Sequence, residues 1–261
     1  MEYDIRCLRT HMDCRATFPE LVQTVVAEVE RFGLERPVHV MGESFGALLA
    51  IAVALEMPQH VSRLVLVNPA TSFRRSALYQ AMPYLVGLPR PLFPLGLLWL
   101  GSKAADAVLV DRVLSGAVPL PLKTRARTRY LLNFLLSLPQ QVEPFTPEAL
   151  SWRLSEWLSV ATSHPLPAPA DKGHTKDHGE GGDGPGDWGV LDRLEEVVPQ
   201  VLVICGTGDK LLPSEEEASV LAARLPRCRV HLVEGAGHAG TLDERVPLPS
   251  LLAEWACDME T

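Results

Sequence analysis

The stretch from Val38 to Ala50 constrains the fold of this chain more than any other. It runs from an apolar segment through Gly-Glu-Ser-Phe-Gly at 42–46 directly into a second apolar segment of helical character. A serine becomes a nucleophile only when the backbone presents its hydroxyl to a base, and a sharp strand-to-helix turn does this. The pattern therefore predicts that Ser44 is a catalytic nucleophile, with a structural turn that merely contains a serine as the alternative.

The neighbours of Ser44 are expected to serve the same turn. Gly42 and Gly46 suit a turn that brings the strand and helix backbones together and leaves no room for a Cβ at either position. The backbone N–H of Phe45 lies at the positive N-terminus of the predicted helix. It would point at the oxygen that becomes negative when Ser44 attacks a carbonyl, so Phe45 is the predicted oxyanion donor.

Apolar strands alternate with helices on both sides of this turn. Each predicted strand is an almost continuous apolar run, and the helices begin at capping signals such as the pair Thr17 and Glu20. Buried strands separated by helices are typical of a parallel sheet covered on both faces, so we predict an α/β fold of this kind. The predicted strands are Tyr3–Leu8, Val38–Met41, Arg63–Asn68, Gln200–Cys205 and Arg229–Val233, and the predicted helices are 18–32, Phe45–Glu56 and Ser214–Leu225, the last capped by Ser214.

Residues 72–190 interrupt the alternation. Prolines become frequent there, and the apolar residues fall into helical pieces, the best marked of which begins at Pro147 behind the N-cap Thr146. We interpret this region as an inserted helical cap. Its Leu, Phe and Trp content indicates an apolar pocket, with plain core packing as the alternative. The two parts of the α/β core would be 1–71 and 191–261, and the cap helices Ala77–Val86, Ala104–Leu114, Thr124–Leu138 and Pro147–Thr162.

Residues 164–188 of the cap are rich in Pro and then in Gly and Asp. They contain no apolar residue between Ala170 and Trp188 to fold around, which is typical of a disordered loop. His174 and His178 have the spacing of metal ligands on a helix, but the glycines around them argue against a helix. We therefore expect neither a metal nor another cofactor.

Charge and cysteine usage exclude several classes of protein. The 261 residues are 47% hydrophobic and carry a formal net charge of −8. The chain can therefore bury a large core, and it lacks the basic surface of a nucleic-acid-binding protein. Five cysteines without a C-x-x-C pair fit a reducing compartment.

The apolar stretches are too interrupted for a membrane span. The richest, Leu85–Leu100, is broken by prolines, so we expect a soluble intracellular or peripheral protein. The first residues resemble neither a signal peptide nor a transit peptide. They look like the start of a strand, and we expect that the natural beginning of the chain, with any targeting segment, is missing.

Two loops that follow late strands supply the carboxylate and the imidazole that a serine nucleophile needs. The loop 206–210 places Asp209 just past one strand, and the loop 234–238 places His238 just past the next. Both lie at the carboxyl edge of a parallel sheet, where the turn at Ser44 also lies, so we expect the three side chains to meet. His238 would take the Ser44 proton while Asp209 orients the imidazole. Each of the two loop residues alone also fits an ordinary polar role, but the order Ser, Asp, His is the one such a fold requires.

Four motifs recur together in a known family. They are Gly-Glu-Ser-Phe-Gly at 42–46, Leu-Val-Asn-Pro-Ala-Thr-Ser-Phe at 66–73, Gly-Asp-Lys-Leu-Leu-Pro-Ser at 208–214 and Gly-Ala-Gly-His at 235–238. With them the chain resembles the esterase/lipase part of the plant and algal phytyl ester synthase family, related to diacylglycerol acyltransferases, over most of residues 1–245. The resemblance implies an α/β-hydrolase fold, a serine esterase and acyltransferase of lipid metabolism, and a place in the chloroplast.

The resemblance also implies the partners. They would be a lipid-like acyl ester or acyl donor and an alcohol acceptor such as phytol or diacylglycerol, with peripheral contact to a membrane or lipid droplet. The chain departs from the family pattern twice. Compared with that pattern, we expect this sequence to begin after the early strand and the His-Gly loop that gives the second oxyanion amide, and to end before the acyltransferase-like part.

Two functions remain open at this stage. The first is acyl transfer through an ester on Ser44, to water or to a lipid alcohol. The second is a non-catalytic or fragmentary protein that keeps the fold to bind lipid or protein, since loss of one oxyanion donor typically costs ~10² to 10³ in kcat. The intact set Ser44, Asp209 and His238 favours the enzyme.

Overall fold

The structure is a computed structural model that describes residues 15–31, 37–104, 146–162 and 188–257, together with Arg129 and Asn133. The predicted strand Tyr3–Leu8, the helices Ala104–Leu114 and Thr124–Leu138 apart from single residues, and the loop 164–188 apart from Trp188 lie outside the described residues. The strands are β1 (Val38–Glu43), β2 (Val61–Val67), β3 (Gln200–Gly206) and β4 (Cys228–Val233). The helices are α1 (Phe18–Arg31), α2 (Phe45–Glu56), α3 (Ala77–Val86), α4 (Phe93–Ala104), α5 (Pro147–Thr162, with a π-helical segment Leu154–Ser159), α6 (Ser214–Arg224) and α7 (Leu248–Cys257).

The four strands form one parallel sheet in the order β1-β2-β3-β4. The register pairs Gly42 of β1 with Leu66 of β2, and Leu66 in turn with Val203 of β3. All carboxyl ends therefore lie at one edge, as predicted, because a parallel arrangement brings every following loop to the same side.

Alternate residues of the strands enter two separate cores. Leu64 and Leu66 pack with α1, α2 and α6 on one face, whereas Val65 and Val67 pack with α7 on the other. Each fully buried aliphatic side chain contributes roughly 1.5–3 kcal/mol from area removed from water. The predicted α/β fold, with a parallel sheet covered on both faces, is thus confirmed.

The N-terminus of α1 contains the predicted capping box. The backbone N–H of Thr17 donates to the Glu20 carboxylate at 2.7 Å, and the Glu20 N–H donates to the Thr17 hydroxyl at 3.4 Å. The apolar stripe behind it buries Phe18 and Val22 completely. Local capping and burial together account for this helix.

One face of β1 is not covered by α7. The core beneath α7 draws on β2, β3 and β4, and His39 and Met41 on the same face of β1 are exposed. Within the described part of the chain, this face of β1 is therefore left without a covering helix. The strand is apolar in sequence but lies at the edge of the described sheet.

The described part of the cap consists of α3, α4 and α5. α3 and the N-cap of α5 follow the prediction, and the Ala149 N–H donates to the Thr146 hydroxyl at 3.1 Å. α4 is not among the predicted helices because Pro91 comes just before it and Pro94 lies in its first turn, although proline is tolerated in a first turn. Gly96 lets α4 approach α3, since a Cβ there would come 2.3 Å from a Leu85 methyl carbon.

These helices share the core of the sheet, and Leu150 and Trp157 of α5 belong to the same buried cluster as α2. No helix in the described ranges is both long and apolar enough to cross a membrane.

Candidate active site

Ser44 stands on the sharp turn between β1 and α2. Its backbone has φ 54° and ψ −119°, a conformation that costs a non-glycine residue on the order of 1–3 kcal/mol. Three hydrogen bonds hold it there: the Ser44 N–H donates to Val67 O at 2.9 Å, and Ser44 O accepts from Ala47 at 3.1 Å and Ala70 at 3.0 Å. The turn is therefore fixed by β2 and by the segment that follows β2.

The two glycines of the turn differ. A Cβ on Gly42 would come 2.1 Å from Gly46 O, so only glycine fits there. A Cβ on Gly46 would meet no described atom within 4 Å. The predicted lack of room at both positions is therefore wrong for Gly46, because the close approach is made by its carbonyl and not by its Cα hydrogens.

Phe45 is the first residue of α2, so its N–H has no acceptor within the helix and lies at the positive end of the helix dipole. Its ring stacks on Trp157 with centroids 5.1 Å apart and contacts Phe18 edge-on at 6.0 Å. The residue after Ser44 thus joins the turn to α5 of the cap.

Asp209 lies in the loop after β3, and both of its carboxylate oxygens accept hydrogen bonds. Its Oδ1 accepts from the N–H groups of Leu211 at 2.8 Å and Leu212 at 3.1 Å, and its Oδ2 accepts from the Ser214 hydroxyl at 2.6 Å. Ser214 was expected to cap α6. Its hydroxyl instead turns to the carboxylate, and α6 has no side-chain cap.

His238 lies in the loop after β4 and bridges the other two side chains. Its Nδ1 is 2.8 Å from Asp209 Oδ2, and its Nε2 is 2.9 Å from Ser44 Oγ. Since an ionised carboxylate can only accept, Nδ1 carries the proton and Nε2 is left to accept from the serine hydroxyl. The structure thus brings together all three residues that the sequence singled out.

The electrostatics favour an ionised Asp209. Burial alone would raise the pKa of this carboxyl, whose side chain is 1% exposed. The hydrogen bond and charge of His238, with the bonds from Ser214 and Leu211, more than offset this and hold the pKa of Asp209 below its ordinary value. An ionised carboxylate at this position stabilises a positively charged imidazole.

The loops that carry Asp209 and His238 touch through their backbones. A Cβ on Gly206 would come 2.3 Å from Ala236 O, and the Gly208 N–H donates to the same oxygen at 2.9 Å. Only a residue without a side chain allows this approach at Gly206.

Glu43, inside the turn motif, has a partner that the sequence did not indicate. Its carboxylate accepts from the Thr241 N–H at 2.9 Å and from the Thr241 hydroxyl at 2.5 Å. This contact ties β1 to the segment after His238 across 198 positions of sequence. No local pattern marks it.

An ion pair between the buried Asp243 and the partly exposed Arg245 supports the same loop from the other side. The Asp243 carboxylate accepts from the Gly237 N–H at 3.4 Å and from Arg245 Nε at 2.9 Å. Hydrogen bonding to Arg245, above all, holds the pKa of Asp243 below its ordinary value. The histidine loop is therefore fixed through its own C-terminal flank.

The described residues form no site for metal binding or for thiol chemistry. Within the described ranges no group of three or more His, Cys, Asp or Glu could hold a metal ion, and His174 and His178 lie outside those ranges. Burial raises the pKa of the Cys205 thiol to about 12, so this cysteine is an unreactive core residue.

A strand-turn-helix serine, an acid after β3 and a histidine after β4 define a class of protein. The chain belongs to the α/β hydrolase fold family, whose family model matches residues 9–244.

Two curated relatives confirm the resemblance to the phytyl ester synthases. Phytyl ester synthase 1 of Arabidopsis thaliana, named as chloroplastic, is 27% identical over 255 residues, covering 96% of this chain and 32% of that protein. Phytyl ester synthase 2 of the same plant, also named as chloroplastic, is 26% identical and is covered to 33%. The chain thus spans about a third of the length of these relatives.

Solved structures with the same fold include two hydrolases. A meta-cleavage product hydrolase of Pseudomonas fluorescens has a TM-score of 0.56 at 17% identity, with 93% of this chain and 72% of that chain covered. A thermophilic esterase of Thermogutta terrifontis has a TM-score of 0.55 at 15% identity, with 94% and 74% covered. At such identities the likeness concerns the fold alone.

Proposed function

We propose that the protein is a serine-nucleophile enzyme that transfers acyl groups from lipid-like esters. The observation that carries this is the position of His238, 2.9 Å from Ser44 Oγ and 2.8 Å from Asp209. Ser44 Oγ attacks the ester carbonyl while His238 Nε2 takes its proton, and Asp209 stabilises the charged imidazole. The Phe45 N–H stabilises the oxyanion, which collapses to an acyl-enzyme when His238 returns the proton to the leaving alcohol.

The second nucleophile completes the cycle. Water releases a free acid, whereas an alcohol takes the acyl group, and His238 removes the proton from either one. The likeness to phytyl ester synthases supports a lipid alcohol such as phytol or diacylglycerol as acceptor. The same likeness supports a place in the plastid.

Residues 72–190, as a cap between the core parts 1–71 and 191–261, would shape the acyl pocket. The ring of Trp157 stacks on Phe45, the residue after Ser44, with ring centroids 5.1 Å apart, and this contact supports the role. A pocket walled by such residues gains ~0.8 kcal/mol per buried methylene, so four added carbons would be worth ~10² in specificity. We expect kcat/KM on aryl esters to rise from acetyl to octanoyl, and phytyl ester to form when phytol is present.

Peripheral contact with a membrane or lipid droplet fits one described surface. α4 turns large apolar side chains outward, with Leu95 62% and Trp99 45% exposed, beside Tyr84 of α3 at 76%. No acidic residue occurs between Glu56 and Asp106 in a chain of net charge −8, which favours an anionic lipid surface.

Binding to vesicles tests this contact. Leu95→Glu should reduce sedimentation with phosphatidylglycerol vesicles several-fold. Val198→Glu is the matched control, because Val198 is 49% exposed elsewhere, and it should bind like the parent. Equal binding of both variants would remove α4 from the proposal.

A fluorophosphonate probe tests the nucleophile. The protein should be labelled at Ser44, and Ser44→Ala should abolish both labelling and turnover of a short acyl ester. An unlabelled parent protein that still binds lipid would favour the non-catalytic alternative. Labelling that survives Ser44→Ala would place the nucleophile elsewhere.

A further inference from the structure

Asn68, the first residue after β2, is buried and takes no part in the acyl transfer described above. It is 1% exposed and opens the motif Asn-Pro-Ala-Thr-Ser-Phe at 68–73. Its φ of 41° makes it one of two described non-glycine residues in the left-handed region, the other being Ser44. Asparagine tolerates this conformation better than most residues.

The side-chain amide of Asn68 joins the two loops that carry Asp209 and His238. Its Oδ1 accepts from the Gly206 N–H at 2.8 Å, at the start of the acid loop. Its Nδ2 donates to Gly237 O at 3.0 Å and to His238 O at 2.7 Å. The last bond holds the backbone of the histidine itself.

The backbone around Asn68 reaches the third segment of the site. The Asn68 N–H donates to Ile204 O at 2.9 Å, and the preceding residue, Val67, accepts the Ser44 N–H at 2.9 Å. Asn68 therefore stands where β1, β2 and β3 end, in contact with or next to all three segments that carry the serine, the acid and the histidine.

Only an amide satisfies these contacts. The site presents one donor, the Gly206 N–H, and two acceptors, the carbonyls of Gly237 and His238. A carboxylate would face two carbonyl oxygens without a proton to share, and an aliphatic side chain would leave three buried backbone groups unpaired.

We propose that Asn68 is a positioning residue that sets the separation of His238 from Ser44 and Asp209 by joining the acid and histidine loops. The proposal rests on the proposed acyl-transfer function. It predicts that loss of the amide lowers kcat and leaves KM unchanged, since substrate contacts do not depend on it. A misplacement of about 1 Å can cost ~10² in rate, so a loss of roughly 10- to 100-fold is expected.

Two substitutions separate the amide from the backbone conformation. Asn68→Gly keeps the positive φ and removes the side chain, whereas Asn68→Asp keeps the shape and reverses the polarity toward Gly237 and His238. Both should show the reduced kcat. Thr162→Val is the control: Thr162 is 5% exposed and its hydroxyl donates to Leu158 O within α5, so its loss should lower stability and leave kcat unchanged.

A double-mutant cycle tests whether Asn68 acts through His238. In a His238→Ala background, Asn68→Gly should cause no further loss of the residual rate. An additive loss there, wild-type kcat in both Asn68 variants, or a kcat loss reproduced by Thr162→Val would each overturn the proposal. Ser44→Ala distinguishes the cases, because turnover that survives it contradicts the proposed function itself and not only the role of Asn68.

Discussion

The carboxyl edge of the sheet and the helical cap are stabilised by different interactions. At the edge, short loops bring Ser44, Asp209 and His238 together through directed hydrogen bonds, most of them between 2.6 and 3.1 Å. In the cap, α4 and α5 are fixed mainly by apolar contacts and stacked rings. Hydrogen bonds weaken steeply with angle and distance, whereas apolar burial scales with area. Small changes at the edge should therefore lower kcat strongly, whereas small changes in the cap should shift stability and leave kcat close to that of the parent.

Asp209→Asn should have the largest effect. The amide can no longer serve as a charged acceptor for His238 Nδ1–H, and the imidazole loses its orientation and charge stabilisation. We expect kcat on a short acyl ester to fall by ~10⁴ with the fold preserved. Asp192→Asn, an exposed aspartate, is the control and should match the parent. Parental turnover in the Asp209 variant would remove this residue from the mechanism.

Gly206→Ala and Gly101→Ala compare one added methyl group in the two regions. At Gly206 the methyl would lie 2.3 Å from Ala236 O, forcing the two loops apart, so we expect ~10² loss in kcat. At Gly101, on α4, it meets no described atom within 4 Å and should stabilise the helix by about 0.5–1 kcal/mol. Steady-state kinetics and urea unfolding measure both; equal kinetics would contradict the comparison.

Trp157→Phe tests the join between the regions. The change removes the hydrogen bond from Trp157 Nε1 to Ala16 O, 2.6 Å long, and part of the stack on Phe45. The free energy of unfolding should fall by about 1–2 kcal/mol, with kcat within about twofold of the parent. Trp99→Phe, on the exposed side of α4, should change neither. A large kcat loss at Trp157 would mean that the cap also positions the serine.

Asp243→Asn should have the smallest effect of these substitutions. It should change how the free energy of unfolding depends on pH. Because the folded pKa of Asp243 is lowered, the unfolded chain takes up this proton at higher pH than the folded chain does. The carboxylate therefore contributes stability above about pH 4, and this is lost as the pH falls through the lowered pKa. The free energy of unfolding, measured between pH 3 and 7, should vary less with pH in the variant than in the parent; an equal pH dependence would contradict the prediction.

Much of the fold could be predicted from local patterns. The helix Phe45–Glu56 and the helix Ala77–Val86 have the predicted bounds, and the strands agree within two residues. Apolar periodicity and caps are properties of neighbouring residues, so a sequence displays them directly. Two features could not be predicted in this way. The π-helical segment within α5 has a regular helical pattern in sequence, and α4 has a pattern that prolines interrupt; in both, tertiary packing overrides the local pattern.

The sequence by itself determined the strand-turn-helix at Ser44, the chain order of serine, acid and histidine, and the parallel sheet that puts them at one edge. Only the tertiary structure decided which distant residues hold the loops around them: Glu43 on Thr241 across 198 positions, and Asn68 on His238 across 170 positions. The physical reason is the separation in sequence over which each interaction acts. Hydrophobic patterning acts between near neighbours in sequence, whereas these hydrogen bonds depend on strand register and loop paths that exist only after the sheet has formed.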